Sequence, residues 1–275
     1  MIYNTIMVQL DIDEPPALRL AFASALARRF EADLIAFAAA DAPIVLPGSD
    51  GILAAGGVLR AQIDEIEARL DALRREFESL AGEDVRVSWR GYVANPTQAL
   101  AVEARAADLI VTGSPAIGPF ADHARRIDAG GLVLSAGRPV LFASHDLAPV
   151  EARSVLLAWK DTREARRAAV DALPFLTSAA EVLVAAVEEE TGAAARSGVA
   201  DVVRFLMRHG VRARSEVVHA GGAETGESLA KLAADAGADL LVAGAYGHSR
   251  LREWAFGGVT RTLLQKSRLN RLLSC

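Results

Sequence analysis

Short apolar runs alternate along the chain with longer segments in which apolar residues recur every three or four positions. The short runs of the first half read IMVQLD, ADLIAFAAA, DVRVSWRG, ADLIVTG and RPVLFAS. Runs of this length are typical of buried strands, and the spacing of three and four is typical of helices with one apolar face. The alternation predicts an α/β fold in which helices cover both faces of a parallel sheet.

The helical periodicity is clearest between residues 57 and 80, where Leu59, Ile63, Ile66, Leu70 and Phe77 fall on one face. The charged residues of this predicted helix are most simply explained as its solvent-exposed face. The same pattern predicts further helices over 15–29, 96–106, 131–136, 162–176, 193–209, 225–236 and 258–266.

The two halves of the chain repeat one another. ADLIVTG and ADLLVAG are 131 positions apart (Asp108 to Asp239), and IMVQLD and VLLAWK are 149 apart (Ile6 to Val155). The polar, proline-containing segment 145–152 has the composition of a linker. We therefore expect two five-stranded domains, over residues 1–146 and 152–275.

Composition and charge narrow the class of protein. The chain is 52% hydrophobic with a net charge of -5, which gives no reason to expect nucleic acid or an acidic membrane as a partner. Its one cysteine, Cys275, allows no disulfide within the chain. With no signal-peptide pattern and no apolar run of roughly 18 residues, we expect a cytoplasmic protein.

Candidate chemistry concentrates where the first and fourth strands of the second half end, because ligands of open parallel sheets bind there. The first of these strands runs into Lys160 and Asp161, and the fourth ends in a loop with glycines at 244, 247, 257 and 258. Glycine lets the backbone approach a ligand, and the helix predicted after the loop offers free N–H groups to an anion. The loop is thus a candidate phosphate-binding loop, although a merely tight turn would also use glycines.

The spacing G-x2-G-x9-G, with the phrases AYGHSRLREW and FGGVTR, resembles the nucleotide-binding loop of the universal stress protein family. The resemblance covers essentially the whole chain as a tandem pair. It implies an adenine nucleotide alpha hydrolase-like fold with strand order 3-2-1-4-5 in each domain. It also implies a pseudo-dimer within the chain, formed by RPVLFAS and LNRLLSC, and allows a further homodimer. In ATP-binding members an Asp after the first strand holds the adenosine end, and the loop holds the phosphates.

Carried onto the second half, this resemblance gives a set of expected nucleotide contacts. Gly258 stands where Ser or Thr is usual, so Thr260 would supply the hydroxyl, and Lys160 stands where the Asp is expected, with Asp161 one position late. Val187 would lie near the base. The whole expected set is Gly244, Gly247, Gly257, Gly258, Val259, Thr260, Lys160, Asp161, Val187 and Ala158.

The first half keeps a different part of the expected site. Asp11 matches the family's Asp, and Gly113 matches the first loop glycine. From Gly113 to Gly130, however, there are 17 positions, against 13 from Gly244 to Gly257. We expect the first half to hold only a remnant of the site.

The resemblance implies a stress-response sensor or regulator that binds ATP in the second domain without turnover, with Mg²⁺ present only alongside the nucleotide. An interaction module with a vestigial loop is the alternative, and a weak ATPase a more distant one. Asp11 and Asp161 are also candidate helix N-caps. His123 and His248 lack further ligands at zinc-binding spacing, and Ser114 and Ser249 lack a matched base, so neither a metal site nor hydrolase chemistry is expected.

Overall fold

The fold alternates strands and helices as the apolar pattern predicts. The computed structural model describes residues 2–43, 52–82, 84–113, 122–147, 149–188, 193–219, 225–245, 262 and 269–275. Its strands are β1 Thr5–Gln9, β2 Asp33–Ala40, β3 Val87–Val93, β4 Leu109–Thr112, β5 Val140–Phe142, β6 Ser154–Ala158, β7 Glu181–Glu188, β8 Ala213–His219, β9 Leu240–Gly244 and β10 Asn270–Ser274. Its helices are α1 Ala17–Phe30, α2 Ile52–Leu80, α3 Pro96–Glu103, α4 Ala129–Ser135, α5 Arg163–Asp171, α6 Leu173–Leu176, α7 Ala193–Arg208 and α8 Thr225–Asp235.

The chain forms two compact units that differ slightly from the two sequence repeats. One, the N-terminal unit, comprises Asn4–Thr112 and Ala116–Ala136. The other, the C-terminal unit, comprises Met1–Tyr3, Gly113–Pro115 and Gly137–Cys275. Strand β5, which belongs to the first sequence repeat, is therefore part of the C-terminal unit. The domain boundaries at 146 and 152 stay a prediction.

In the N-terminal unit, four parallel strands lie in the order β3-β2-β1-β4. Their register pairs Thr5 with Asp33 and Ile6 with Leu109. Strands β1, β2 and β4 are almost wholly buried, as expected for a parallel sheet covered on both faces. The apolar face predicted for α2 is confirmed by the buried side chains Ile66, Leu70, Leu73 and Phe77.

In the C-terminal unit, the second repeat forms five parallel strands in the order β8-β7-β6-β9-β10. Numbered within the repeat, this is 3-2-1-4-5, so the expected fold class is confirmed. On the other side, β10 pairs antiparallel with β5, joining Arg271 to Phe142 and Leu273 to Val140. The pairing expected between RPVLFAS and LNRLLSC is therefore present within the C-terminal unit.

Two details differ from the sequence prediction. The helix expected over 162–176 is divided into α5 and α6, with Ala172 between them and Pro174 in the first turn of α6, a position that proline suits. Strand β10 carries a fully buried Arg271, which explains its weak apolar pattern. The Nη2 atom of Arg271 donates a hydrogen bond to Ala143 O at 2.9 Å, and burial lowers the pKa of its guanidinium to about 10.

None of the described helices is both long and apolar enough to cross a bilayer.

Candidate functional site

The candidate site of the C-terminal unit lies where the strand order reverses. Strand β6 has β7 on one side and β9 on the other, and because all three strands are parallel, their carboxyl ends lie at the same edge of the sheet. In open α/β sheets, ligands bind in the crevice outside the strand ends at such a point. The residues that end these two strands here are Ala158 and Gly244.

Residues 159–162 lead from β6 into α5 and form the first wall of this crevice. The Trp159 N–H donates to Ala185 O at 2.7 Å, which holds the start of the segment against β7. Lys160 is exposed. Asp161 is paired with Arg166 at 2.6 Å. The N-cap of α5 is Thr162, whose hydroxyl accepts from Ala165 N at 3.3 Å.

The possibility that Asp161 or Asp11 caps a helix is therefore wrong. Thr162 takes that place in α5, and Pro16 stands at the N-cap position of α1 without a side-chain hydrogen bond. Both aspartates instead bind an arginine of the following helix. Their carboxylates are satisfied by ion pairs and not by backbone N–H groups.

Gly244 has a packing reason to be glycine. A Cβ atom on Gly244 would lie 2.4 Å from Ala165 N and 2.5 Å from Glu164 C, in the first turn of α5. No real side chain tolerates such contacts with backbone atoms. This glycine lets α5 approach β9, so it gives no independent support for a bound phosphate.

Glu164 is a residue that the sequence analysis missed. Its side chain is buried and pairs with Arg163, while its backbone packs against Gly244. Burial raises the pKa of this carboxyl, but hydrogen bonds from Arg163, the backbone and Thr162 outweigh burial and leave the pKa below its usual value. An acidic residue in the first turn of a helix, next to the cap, is a sequence feature that could have revealed it.

Trp159 and Val187 lie on the β7 side of the crevice. Trp159 is half-buried, and its indole Nε1 lies 3.7 Å from where a Cβ on Gly198 of α7 would be. This Nε1 is buried and has no hydrogen-bond partner among the described residues. Val187 lies two residues beyond Ala185 along β7 and is part-buried. The structure thus brings Ala158, Lys160, Asp161, Val187 and Gly244 to the same end of one sheet.

The remaining predicted contacts, Gly247, Gly257, Gly258, Val259 and Thr260, lie outside the described residues. The helix predicted over 258–266 is described only at Thr262. This threonine is buried, and a Cβ on Gly226 of α8 would lie 2.6 Å from its Cβ.

The corresponding crevice of the N-terminal unit, between the ends of β1 and β4, contains a polar network. Thr112 donates to Gln9 Oε1 at 2.8 Å, and Gln9 Nε2 donates to Asp11 Oδ1 at 2.9 Å. Arg19 Nη1 lies 2.7 Å from Asp11 Oδ2 and also donates to Gln9 Oε1 and Gln9 O, both at 3.2 Å. Gly113 follows directly after Thr112 and is half-buried. Asp11 therefore binds the unit's own guanidinium.

Gln9, Thr112 and Arg19 are also residues that the sequence analysis missed. Polar side chains at the ends of the apolar runs TIMVQ and LIVT are the feature that could have drawn attention to the first two. Arg19 has no such pattern, since arginine is ordinary in the first turns of an exposed helix.

A cluster of ion pairs next to the N-terminal crevice links the loop after β1 to α2 and to Arg125. Arg125 lies 2.8 Å from Asp13 and 3.1 Å from Glu65, while Arg69 lies 2.7 Å from Asp13 and 2.5 Å from Glu65. A side-chain hydrogen bond from Arg125 holds the pKa of Asp13, and likewise that of Glu65, below its usual value, although burial acts in the opposite direction.

One backbone hydrogen bond after the first strand of each repeat shows which residues of the two crevices are equivalent. Leu10 N donates to Phe37 O at 2.8 Å in one unit, and Trp159 N donates to Ala185 O at 2.7 Å in the other. Leu10 and Trp159 are thus equivalent, and Asp11 corresponds to Lys160. The charge at this position is therefore reversed between the two repeats, while the match of this position to the family's Asp stays a prediction.

Comparison with known proteins agrees with this repeated architecture. The model of the universal stress protein family matches the chain twice, over residues 2–141 and 134–272. The chain belongs to the universal stress protein family. No curated protein matches it in sequence.

Two solved structures share its fold over almost the whole chain. A universal stress protein from Archaeoglobus fulgidus DSM 4304 is 13% identical, with a TM-score of 0.69 over 98% of each chain. A protein of unknown function from Pseudomonas aeruginosa PAO1 is 17% identical, with a TM-score of 0.62 over 99% of this chain and 92% of that one. A universal stress protein from Archaeoglobus fulgidus in complex with dAMP is 22% identical, with a TM-score of 0.29 over 52% of this chain and 98% of that one.

Proposed function

We propose that this universal stress protein binds an adenine nucleotide, ATP with its Mg²⁺, in the crevice of the C-terminal unit. It acts as a cytoplasmic sensor or regulator and not as a catalyst, and it forms a homodimer. Family membership supports the ligand class. We choose the C-terminal unit because the side chains at equivalent positions of the two crevices differ.

The C-terminal crevice has small apolar residues where the N-terminal crevice has its polar network. By the registers of the strands, Gln9 corresponds to Ala158 and Thr112 to Ala243. The residue 149 positions after Arg19 is Ala168, which is fully buried. These three alanines have no side-chain polar atoms, so they cannot form the hydrogen-bond network that Gln9, Thr112 and Arg19 form in the N-terminal crevice.

Charge at the C-terminal crevice favours an anionic ligand. Lys160 is exposed directly after β6, whereas the carboxylate of Asp161 is already engaged by Arg166. Lys160 is therefore the residue of this pair that remains available to a phosphate or to the ribose end of a nucleotide. In this proposal Gly247, Gly257 and Gly258 contact phosphates through backbone N–H groups, Val259 and Thr260 complete the loop, and Val187 lies near the base.

Calorimetric titration of the full chain with ATP tests the proposal. We expect heat of binding that saturates below millimolar nucleotide and that is lost in Gly247→Val. Gly57→Ala, which changes an exposed helical glycine with no atom within 4 Å of the added Cβ, is the control and should bind as the wild type does. No heat at millimolar ATP would refute the proposal.

An interaction module without nucleotide is the second candidate. The ion pair that occupies Asp161 and the packing reason for Gly244 favour it, because both remove features that would otherwise point to a ligand. Under this alternative, purified protein carries no nucleotide and Gly247→Val changes no binding. A weak ATPase would instead show phosphate release that disappears in Lys160→Ala.

A further inference from the structure

The crevice of the N-terminal unit contains a cation of its own. The Arg19 guanidinium bonds Asp11, the side chain and carbonyl of Gln9, and Glu14 at 3.0 Å. The side chains of Arg19 and Asp11 are only 12% and 14% exposed, and Arg19 Nε is buried without a hydrogen-bond partner among the described residues. The bonds of Arg19 occupy Gln9 and Asp11, the polar side chains that the end of β1 would otherwise offer to a ligand.

A short segment, residues 122–126, is bound to the elements that flank this crevice, and we call it the strap. Its Ala124 carbonyl accepts from Asp41 N, directly after β2, at 2.6 Å. Arg125 binds Asp13 of the loop after β1 and Glu65 of α2. Arg126 binds Glu14 at 3.0 Å. The strap is thus tied to three elements around the crevice.

The ion-paired side chains around the crevice carry balanced charges. Among the residues that the structure describes there, the ion pairs join four arginines to four carboxylates: Arg19, Arg69, Arg125 and Arg126 on one side, and Asp11, Asp13, Glu14 and Glu65 on the other. A balanced cluster has no net charge with which to attract a phosphate. Opening it for a ligand would also break several of these pairs together.

We infer that Arg19 and the strap close the N-terminal crevice from within the fold, and that this crevice takes no ligand. The chain therefore carries a single nucleotide site, in the C-terminal unit; this last clause rests on the proposed function. Closure itself is independent of any ligand and can be measured without one.

Labelling of carboxylates tests the closure directly. A water-soluble carbodiimide with glycine ethyl ester converts accessible carboxylates to amides, and peptide mass spectrometry reads the rate at each residue. In the full wild-type chain, Asp11 should label at least tenfold more slowly than Asp161, whose side chain is 65% exposed and also paired with an arginine. Asp11 labelling at the rate of Asp161 would overturn the inference.

Variants locate the cause of the protection. Arg125→Ala with Arg126→Ala should release the strap and speed Asp11 labelling at least threefold, and Arg19→Gln should speed it further. Arg74→Ala removes an exposed Arg–Glu pair elsewhere on α2 and should leave the rate unchanged. Circular dichroism checks that each variant is folded. If folded strap and Arg19 variants label Asp11 at the wild-type rate, closure by these residues is wrong.

Nucleotide stoichiometry tests the single site. We expect one ATP per wild-type chain, and none in Gly247→Val. Two ATP per chain, or binding that survives in Gly247→Val, would overturn the inference. Absence of ATP binding in the wild type would refute the proposed function and, with Asp11 protected, leave the closure supported.

Discussion

At the scale of single residues, Gly244 and Lys160 change how the candidate site is understood. Gly244 looked like one member of a phosphate loop, yet the first turn of α5 leaves no room for a Cβ at this position. Lys160 occupies the place that Asp11 holds in the other unit. A glycine that fits a binding motif can thus be required by packing instead. Only the contacts of the glycine show whether ligand binding or packing explains it.

The packing reason makes a prediction about stability. Gly244→Ala should lower the free energy of unfolding by about 1–3 kcal/mol or more, because the added methyl meets backbone atoms that cannot move aside. Gly57→Ala is the matched control, and it should raise that free energy by about 0.5–1 kcal/mol, since Gly57 lies exposed inside α2. Urea unfolding measures both. Equal stability of the two variants would contradict the packing account.

At the scale of elements, the start of α5 depends on one hydroxyl. Thr162→Ala removes the N-cap and should cost about 1 kcal/mol of unfolding free energy, because Ala165 N loses its acceptor. Thr162→Ser keeps the hydroxyl and should retain most of the stability. If the serine and alanine variants are equally unstable in thermal unfolding, the cap is not the cause.

The strap gives an element-scale prediction on pH. Because Arg125 lowers the pKa of Asp13 and Glu65 in the folded state, their pairs stabilise the fold above the unfolded values of 3.8 and 4.5 and lose this effect as pH falls. Arg125→Ala should therefore weaken the decline of stability between about pH 5 and pH 3, whereas Arg74→Ala should not. At pH 7 the cost should stay below about 1 kcal/mol, since these groups are partly exposed. An unchanged acid slope in urea unfolding would contradict this role.

At the scale of the whole molecule, the sequence predicted much of the architecture. Alternating apolar runs predicted the strands and helices, and the matched aspartates 108 and 239 marked the repeat. Each of these accepts a hydrogen bond from the residue just before the first strand of its repeat, from Asn4 N at 2.8 Å and from Arg153 N at 3.0 Å. Local periodicity sufficed for these features because it reflects burial within single elements.

What could not be predicted depends on contacts between distant residues. The grouping of β5 with the C-terminal unit follows from its pairing with β10, about 130 residues away. The closed N-terminal crevice needs Gln9, Arg19 and Thr112 to meet, and no periodicity links them. The resemblance aligns Asp11 with the family's Asp, but the ion pair of Asp11 with Arg19 could not be read from that alignment.

We propose that the two repeats of one fold have divided their roles, with one crevice binding a nucleotide and the other closed. Native mass spectrometry of the full chain with increasing ATP counts the sites most directly. We expect one bound ATP per chain, with binding lost in Gly247→Val. A second bound ATP at comparable affinity, or no bound ATP at millimolar concentration, would contradict it.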